Sequence, residues 1–121
     1  MEHRIGMDLH IHSAYSSDGE IPVAGIAERC AASGTAIFSL TDHNCVRGLD
    51  EAAGCASKAG LGFVPGIEVD CNFEGIDLHL LGYGIDRRSR DFASLEQDVA
   101  AKVTEAFGET CLLYTSPSPR D

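Results

Sequence analysis

The sequence predicts an α/β fold in which short buried strands alternate with amphipathic helices over a largely parallel sheet. Three observations carry that expectation. Apolar runs at Met7–Ile11, Ala36–Thr41 and Gly62–Phe73 alternate with stretches whose apolar residues recur at helical spacing. Gly34 and Gly60 stand where such helices stop. Imidazoles and carboxylates gather at the ends of the apolar runs, which is where sites collect in alternating β/α folds.

The first run reads Met-Asp-Leu-His-Ile-His from Met7 to His12. Strand alternation would project Asp8, His10 and His12 to one face and turn Met7, Leu9 and Ile11 into apolar packing. A helix follows over Ile21–Ser33, with Pro22 in its first turn and Val23, Ile26, Ala27, Cys30 and Ala31 on one side. Its start lacks a good cap, because Ile21 stands where Ser, Thr or Asp would serve better. Ala36–Thr41 suits a strand buried on both faces and ends in Asp42-His43-Asn44. The second helix, Leu49–Ala59, carries a small-residue stripe of Leu49, Ala52, Ala53, Ala56 and Ala59, suited to close packing on a sheet. Gly62–Phe73 is a strand containing Glu68. Glu74-Gly75 makes a tight turn, and Ile76–Tyr83 returns with His79 on the face opposite Leu78 and Leu80. A third helix is expected over Asp91–Phe107, with Phe92, Leu95, Val99 and Val103 packing into the core. From about residue 108 the chain changes character. Its last stretch, Cys111–Asp121, has no period and two closely spaced prolines, so 108–121 is read as a non-native or disordered tail, with a Pro-rich linker as the alternative.

At 121 residues the chain is in the range of one domain, and 44% hydrophobic residues with 13 glycines allow a core and tight turns. Nine basic residues against nineteen acidic ones, a net charge of −10, argue against gripping duplex nucleic acid through a broad basic surface. They leave room for a small phosphorylated ligand, whose charge bound cations can balance. No run approaches a membrane span, and no signal-peptide pattern opens the chain. Five scattered cysteines without a Cys-x-x-Cys pair suggest neither a disulfide framework nor a zinc ribbon, and point to a reducing cytoplasmic setting.

The chemistry-bearing residues fall on successive strands: Asp8, His10 and His12, then Asp42 and His43, then Glu68, then His79. A lone His-x-His is commonly nothing more than a half-exposed strand. Four strands delivering such groups in step are hard to explain by packing, because uncompensated buried charge is costly. Two same-face imidazoles can grip one divalent cation, and Asp18, beyond a Ser-Ala-Tyr-Ser-Ser turn, can return to the same place as an oxygen ligand. Imidazole and carboxylate without a thiolate in register suit Mn, Fe or Zn better than Ca or Mg. Cys45 follows His43 closely but has no dedicated base, and Arg47 reads as a solvated loop arginine within reach of a substrate phosphate.

Asp-Leu-His-Ile-His, Ser-Asp-Gly at 17–19, Thr-Asp-His at 41–43, Gly-Ile-Glu at 66–68 and His-Leu-Leu-Gly-Tyr at 79–83 together resemble the ordered motifs of the PHP (polymerase and histidinol phosphatase) phosphoesterase superfamily. The likeness covers Met7 to Phe107. It implies the N-terminal part of a PHP domain over 1–107, that is, a partial, truncated version of a distorted (β/α)7 TIM-like barrel. It also implies two to three divalent ions, held by His10, His12, Asp18, His43, Glu68 and His79, with Glu68 bridging two of them. Asp8 and Asp42 would orient neighbouring histidines. Gly-Tyr-Gly-Ile-Asp at 82–86 is similar to the small stand-alone members. Those hydrolyse nucleotide phosphomonoesters with a metal-bridging hydroxide. The alternative is a non-catalytic or proofreading-accessory PHP module of a larger polymerase. The superfamily pattern continues with a late Asp-x-His that is not found here, so this chain by itself is expected to carry an incomplete site and to lack full activity.

Overall fold

The computed structural model describes residues 6–113, with side chains described over 6–102. The elements run β1 (Gly6–Ile11), α1 (Val23–Ser33), β2 (Thr35–Leu40), α2 (Leu49–Ala59), β3 (Gly62–Phe73), β4 (Ile76–Tyr83) and α3 (Arg90–Leu113). The strands lie in the order β1-β2-β3-β4. β1, β2 and β3 pair in parallel, and β4 returns antiparallel beside β3. This is the expected α/β class, curled into an open half-barrel. The curl is visible in one contact: the Tyr83 hydroxyl at the end of β4 donates to the Leu9 carbonyl of β1, the far edge of the sheet, at 2.5 Å.

One face of the sheet is apolar and carries the helices. Phe38 and Leu40 of β2 meet Val23, Ile26, Ala27 and Cys30 of α1 and Leu49, Ala52 and Ala56 of α2 in a single core. The alanines let both helices lie close to the strands. Full burial of Phe38 and Leu40 stabilises the fold by roughly 1.5–3 kcal/mol each. The helix punctuation is as the sequence suggests. Pro22 precedes α1 with no side-chain cap, and Gly34 (φ 79°) and Gly60 (φ 72°) close α1 and α2 in the left-handed region. Asp50 and Glu51 in the first turn of α2 and Lys58 in its last complement the helix dipole. Glu74 (φ 50°) and Gly75 (φ 80°) form the hairpin turn between β3 and β4.

Several expectations are corrected. Met7 is 63% exposed instead of packed, because β1 is an edge strand whose register with β2 breaks between Gly6 and Met7 and again between Asp8 and Ile11. Phe92, Leu95 and Val99 of α3 are only half-buried and stand outside the core, and Val103 lies beyond the described side chains. α3 runs on to Leu113, six residues past its expected end at Phe107. The remainder of the supposed tail, 114–121, lies outside the described residues. Apart from these expectations, Ile76, Leu78 and Leu80 of β4 are exposed. Among the described residues no helix is long and apolar enough to cross a membrane.

The close approach of β3 to β2 and β4 depends on Gly66. A Cβ there would fall on the Ser39 hydroxyl, 2.8 Å from Thr41 Cγ2 and 3.2 Å from the Gly82 carbonyl. Gly66→Ala should therefore destabilise the fold by about 1–3 kcal/mol, read as a lower urea midpoint at unchanged slope. Wild-type stability in that variant would show that the sheet can relax around the added methyl.

Candidate metal centre

The polar, concave face of the sheet gathers the imidazoles around one buried carboxylate. Glu68 sits on β3 beside His43, to which it is joined by a parallel bridge after β2 has ended. The backbone bonds of that bridge, Asn44 N–H to Glu68 O (2.8 Å) and Glu68 N–H to Asp42 O (3.1 Å), lock the two side chains next to each other. Glu68 is 2% exposed. Its Oε1 meets His10 Nε2 at 2.5 Å and His12 Nε2 at 3.1 Å, and its Oε2 meets His79 Nδ1 at 2.8 Å and His43 Nδ1 at 3.5 Å. Asp18 closes the other side, with Oδ1 2.9 Å from His12 Nδ1 and Oδ2 3.0 Å from His43 Nε2. His10, His12, Asp18, His43, Glu68 and His79 are thus brought together.

The two supporting aspartates bond to backbone and to a serine hydroxyl, not to imidazole rings. Asp8 is exposed and accepts the backbone N–H of His10 (3.3 Å), not a ring nitrogen. The irregular register of β1 breaks the simple alternation that would have set Asp8 beside His10. Asp42 is buried and accepts both the backbone N–H (2.5 Å) and the hydroxyl (2.6 Å) of Ser13. It braces the turn that leads from His12 to Asp18, and does not touch an imidazole. Ser16 ties that turn to the next loop, donating its hydroxyl to Asp18 Oδ1 (2.8 Å) and accepting the His43 backbone N–H (3.1 Å).

Asp70 is a member of the cluster that the sequence reading missed. Its Oδ1 lies 2.9 Å from His43 Nδ1, and it exchanges two hydrogen bonds with Asn44, whose backbone takes the left-handed region (φ 55°). The signal was available: Glu68 and Asp70 are two apart on one strand, so they share a face. Cys45 is buried, and burial pushes its thiol pKa up, against thiolate formation. Arg47 is engaged with Glu96 (2.6 Å) and lies over the Tyr15 ring at 5.5 Å.

These groups suit divalent cations. His12 and His43 each face carboxylate oxygens at both ring nitrogens, whereas a neutral imidazole has a single N–H to donate. Either a proton or a cation must therefore stand between one nitrogen and its carboxylate. Ligand atoms about 3 Å apart also match the edges of a coordination shell whose bonds are about 2.0–2.2 Å long. Three sets have ligand atoms within 4.8 Å of one another: His10, His12 and Glu68; His12, Asp18 and His43; His43, Glu68 and Asp70. His79 adjoins the third set through Glu68 and, at 3.6 Å, Asp70.

Comparison with known proteins agrees with this geometry. The family model described as PHP domain matches residues 8–114. A 3',5'-nucleoside bisphosphate phosphatase of Chromobacterium violaceum is 41% identical over 80 residues, 66% of this chain and 28% of that protein. A 5'-3' exoribonuclease of Haemophilus influenzae is 33% identical over 94 residues, 78% of this chain and 34% of that protein. A solved structure of an amidohydrolase from Chromobacterium violaceum, with bound sulfate and no metal, superposes with a TM-score of 0.77 at 35% identity, covering 83% of this chain and 35% of the other. The chain spans about a third of the length of these relatives.

Without metal, the cluster is held by charge. Burial opposes ionisation of Glu68, but its bonds to His10 and His12 and the nearby His43 and His12 rings outweigh that and lower its pKa. Burial likewise opposes protonation of His43, and the Asp70 bond together with the charges of Asp70, Asp18 and Glu68 overcomes it and raises its pKa. Burial works against ionised Asp18 too, yet the Ser16 bond and the His12 and His43 charges lower its pKa. The carboxylates contribute stability above their ordinary values, about 4, that is lost as pH falls through the depressed values; His43 contributes below about 6.5 and loses it as pH rises through its raised value. The metal-free chain should therefore melt highest between about pH 4.5 and 6.5. Divalent cations should move that optimum upward, since they compete with protons for the same imidazoles. Melting curves against pH, with chelator and with Mn²⁺, check this; an optimum unmoved by cations would count against a metal centre.

Proposed function

The chain belongs to the PHP domain family, and from that membership we propose that the protein is a metal-dependent phosphoesterase acting on a small phosphomonoester of nucleotide type. The observation that carries the reading is the buried Glu68 carboxylate with imidazoles at both of its oxygens. His10, His12, Asp18, His43, Glu68, Asp70 and His79 would hold two to three ions, with nitrogen and oxygen donors suited to Mn, Fe or Zn. Such ions supply a water of lowered pKa and polarise phosphoryl oxygens, so no side-chain nucleophile is required. The protein's part is placement. Glu68 fixes the relative positions of imidazoles from separate strands, and Asp42 and Ser16 hold the turn that presents Asp18.

The nucleotide assignment draws on the relatives, which include a nucleoside bisphosphate phosphatase and an exoribonuclease; both names describe cleavage of nucleotide phosphate esters. An excess of ten negative charges favours the smaller substrate over a long polynucleotide. Cytoplasmic residence is part of the same proposal, since Cys30, Cys45, Cys55 and Cys71 are free thiols.

The test is hydrolysis of a panel containing nucleoside bisphosphates, mononucleotides, a short 5'-phosphorylated RNA and an amide substrate, with Mn²⁺ and with chelator. Phosphate release from the small nucleotides should vanish on chelation and fall more than about 100-fold in Glu68→Gln. Turnover that survives chelation, or that is confined to the amide, would overturn the proposal.

A further inference from the structure

We infer that Tyr83 is a positioning residue for His10, acting from the opposite edge of the sheet through the Leu9 carbonyl. Between Asp8 and Ile11 strand β1 advances three residues while its partner β2 advances two, from Phe38 to Leu40. The extra residue is a bulge, and His10 lies in it. The regular ladder therefore does not set the direction in which His10 points. Side chains do so instead.

Two peptide planes flank His10, and together they fix its φ and ψ. The plane joining Leu9 to His10 is held at its oxygen by the Tyr83 hydroxyl (2.5 Å) and at its N–H by Asp8 Oδ1 (3.3 Å). The plane joining His10 to Ile11 is held at its N–H by Thr41 Oγ1 (3.2 Å). The Ile11 carbonyl accepts the Thr41 backbone N–H (2.8 Å), so the strand is anchored again one residue further on. Of these contacts, the one from Tyr83 crosses the mouth of the curled sheet. Tyr83 is itself fixed, being paired with Gly66 across β3 and followed by a Gly84 N–H donated to the Pro65 carbonyl (2.8 Å). Strand β4 thus acts twice on the centre: it delivers His79 to Glu68 directly, and through Tyr83 it holds the peptide that aims His10 at the other Glu68 oxygen.

The consequence for cations rests on the metal-centre reading, while the effect on His10 does not, and the test separates the two. Tyr83→Phe removes the hydroxyl alone, and Tyr83→Leu removes the ring as well. In metal-free protein, the ring ¹⁵N signals of His10 should move in both variants while those of His43 stay. Cobalt(II), followed by its visible absorption, should bind the His10–His12–Glu68 set about 10–100-fold more weakly in Tyr83→Phe, the range for loss of a group that orients a ligand. Unchanged His10 signals in Tyr83→Phe would overturn the inference. So would a Phe variant that matches wild type while the Leu variant is impaired, since the ring and not the hydroxyl would then be at work. If wild type takes up no cobalt, the metal centre falls and the His10 signals alone decide the role of Tyr83.

Discussion

A carboxylate removed from water is the constraint to which the rest of this structure answers. Leaving an isolated charge in a protein interior costs several kcal/mol or more, and the group neutralises or finds partners. Glu68 finds them in His10, His12, His43 and His79, which arrive from β1, the turn after it, the loop after β2, and β4. The parallel order of β1, β2 and β3, with β4 folded back, brings four distant imidazoles to one carboxylate. A cation in that position would relieve the same cost.

The two faces of β2 show how one strand serves both needs. Phe38 and Leu40 enter the apolar core beneath α1 and α2, while Ser39 and Thr41 lie on the side of Gly66. Thr41 bonds Ile11 and so steadies β1, and the next residue, Asp42, steadies the Ser13 turn. Ser39, buried beside Gly66, has no hydrogen-bond partner for its hydroxyl among the described residues. Packing against the helices thus fixes the height and rotation of β2, and the loop beyond it inherits that placement.

Much of this was legible in the residues. Helical spacing, Gly34, Gly60 and the Glu74-Gly75 turn gave the elements from β1 to β4 to within about two residues, and the His, Asp and Glu motifs gave the six residues that converge. What escaped was set by tertiary geometry. Period-two alternation assumes an unbroken ladder, so it misjudged Met7 and Asp8 on a strand whose register slips. Adjacency couples Asp42 to His43, whereas its carboxylate reaches Ser13, twenty-nine residues back, a contact no local pattern encodes. Asp70 lies two residues beyond the Gly-Ile-Glu motif, which by itself does not include it. The stripe on α3 promised a core contact, yet periodicity says which side of a helix is apolar and nothing about what meets it.

The mixed pairing of the sheet also has a bearing on time. The β3–β4 hairpin is joined by a two-residue turn, and hairpins of that kind close in about 1–10 μs. Glu68, Asp70 and His79 all lie on it, and Asp70 and His79 face each other in its register. Three of the seven residues of the cluster therefore belong to a local unit. The parallel strands must instead wait for crossovers through α1 and α2, and non-local contacts of that sort are the slow ones. His10 and Glu68, fifty-eight residues apart, meet only when both crossovers are complete. Assembly of the centre thus joins a local unit to a non-local one: Glu68, Asp70 and His79 share the hairpin, while His10, His12, Asp18 and His43 reach them only through the crossovers.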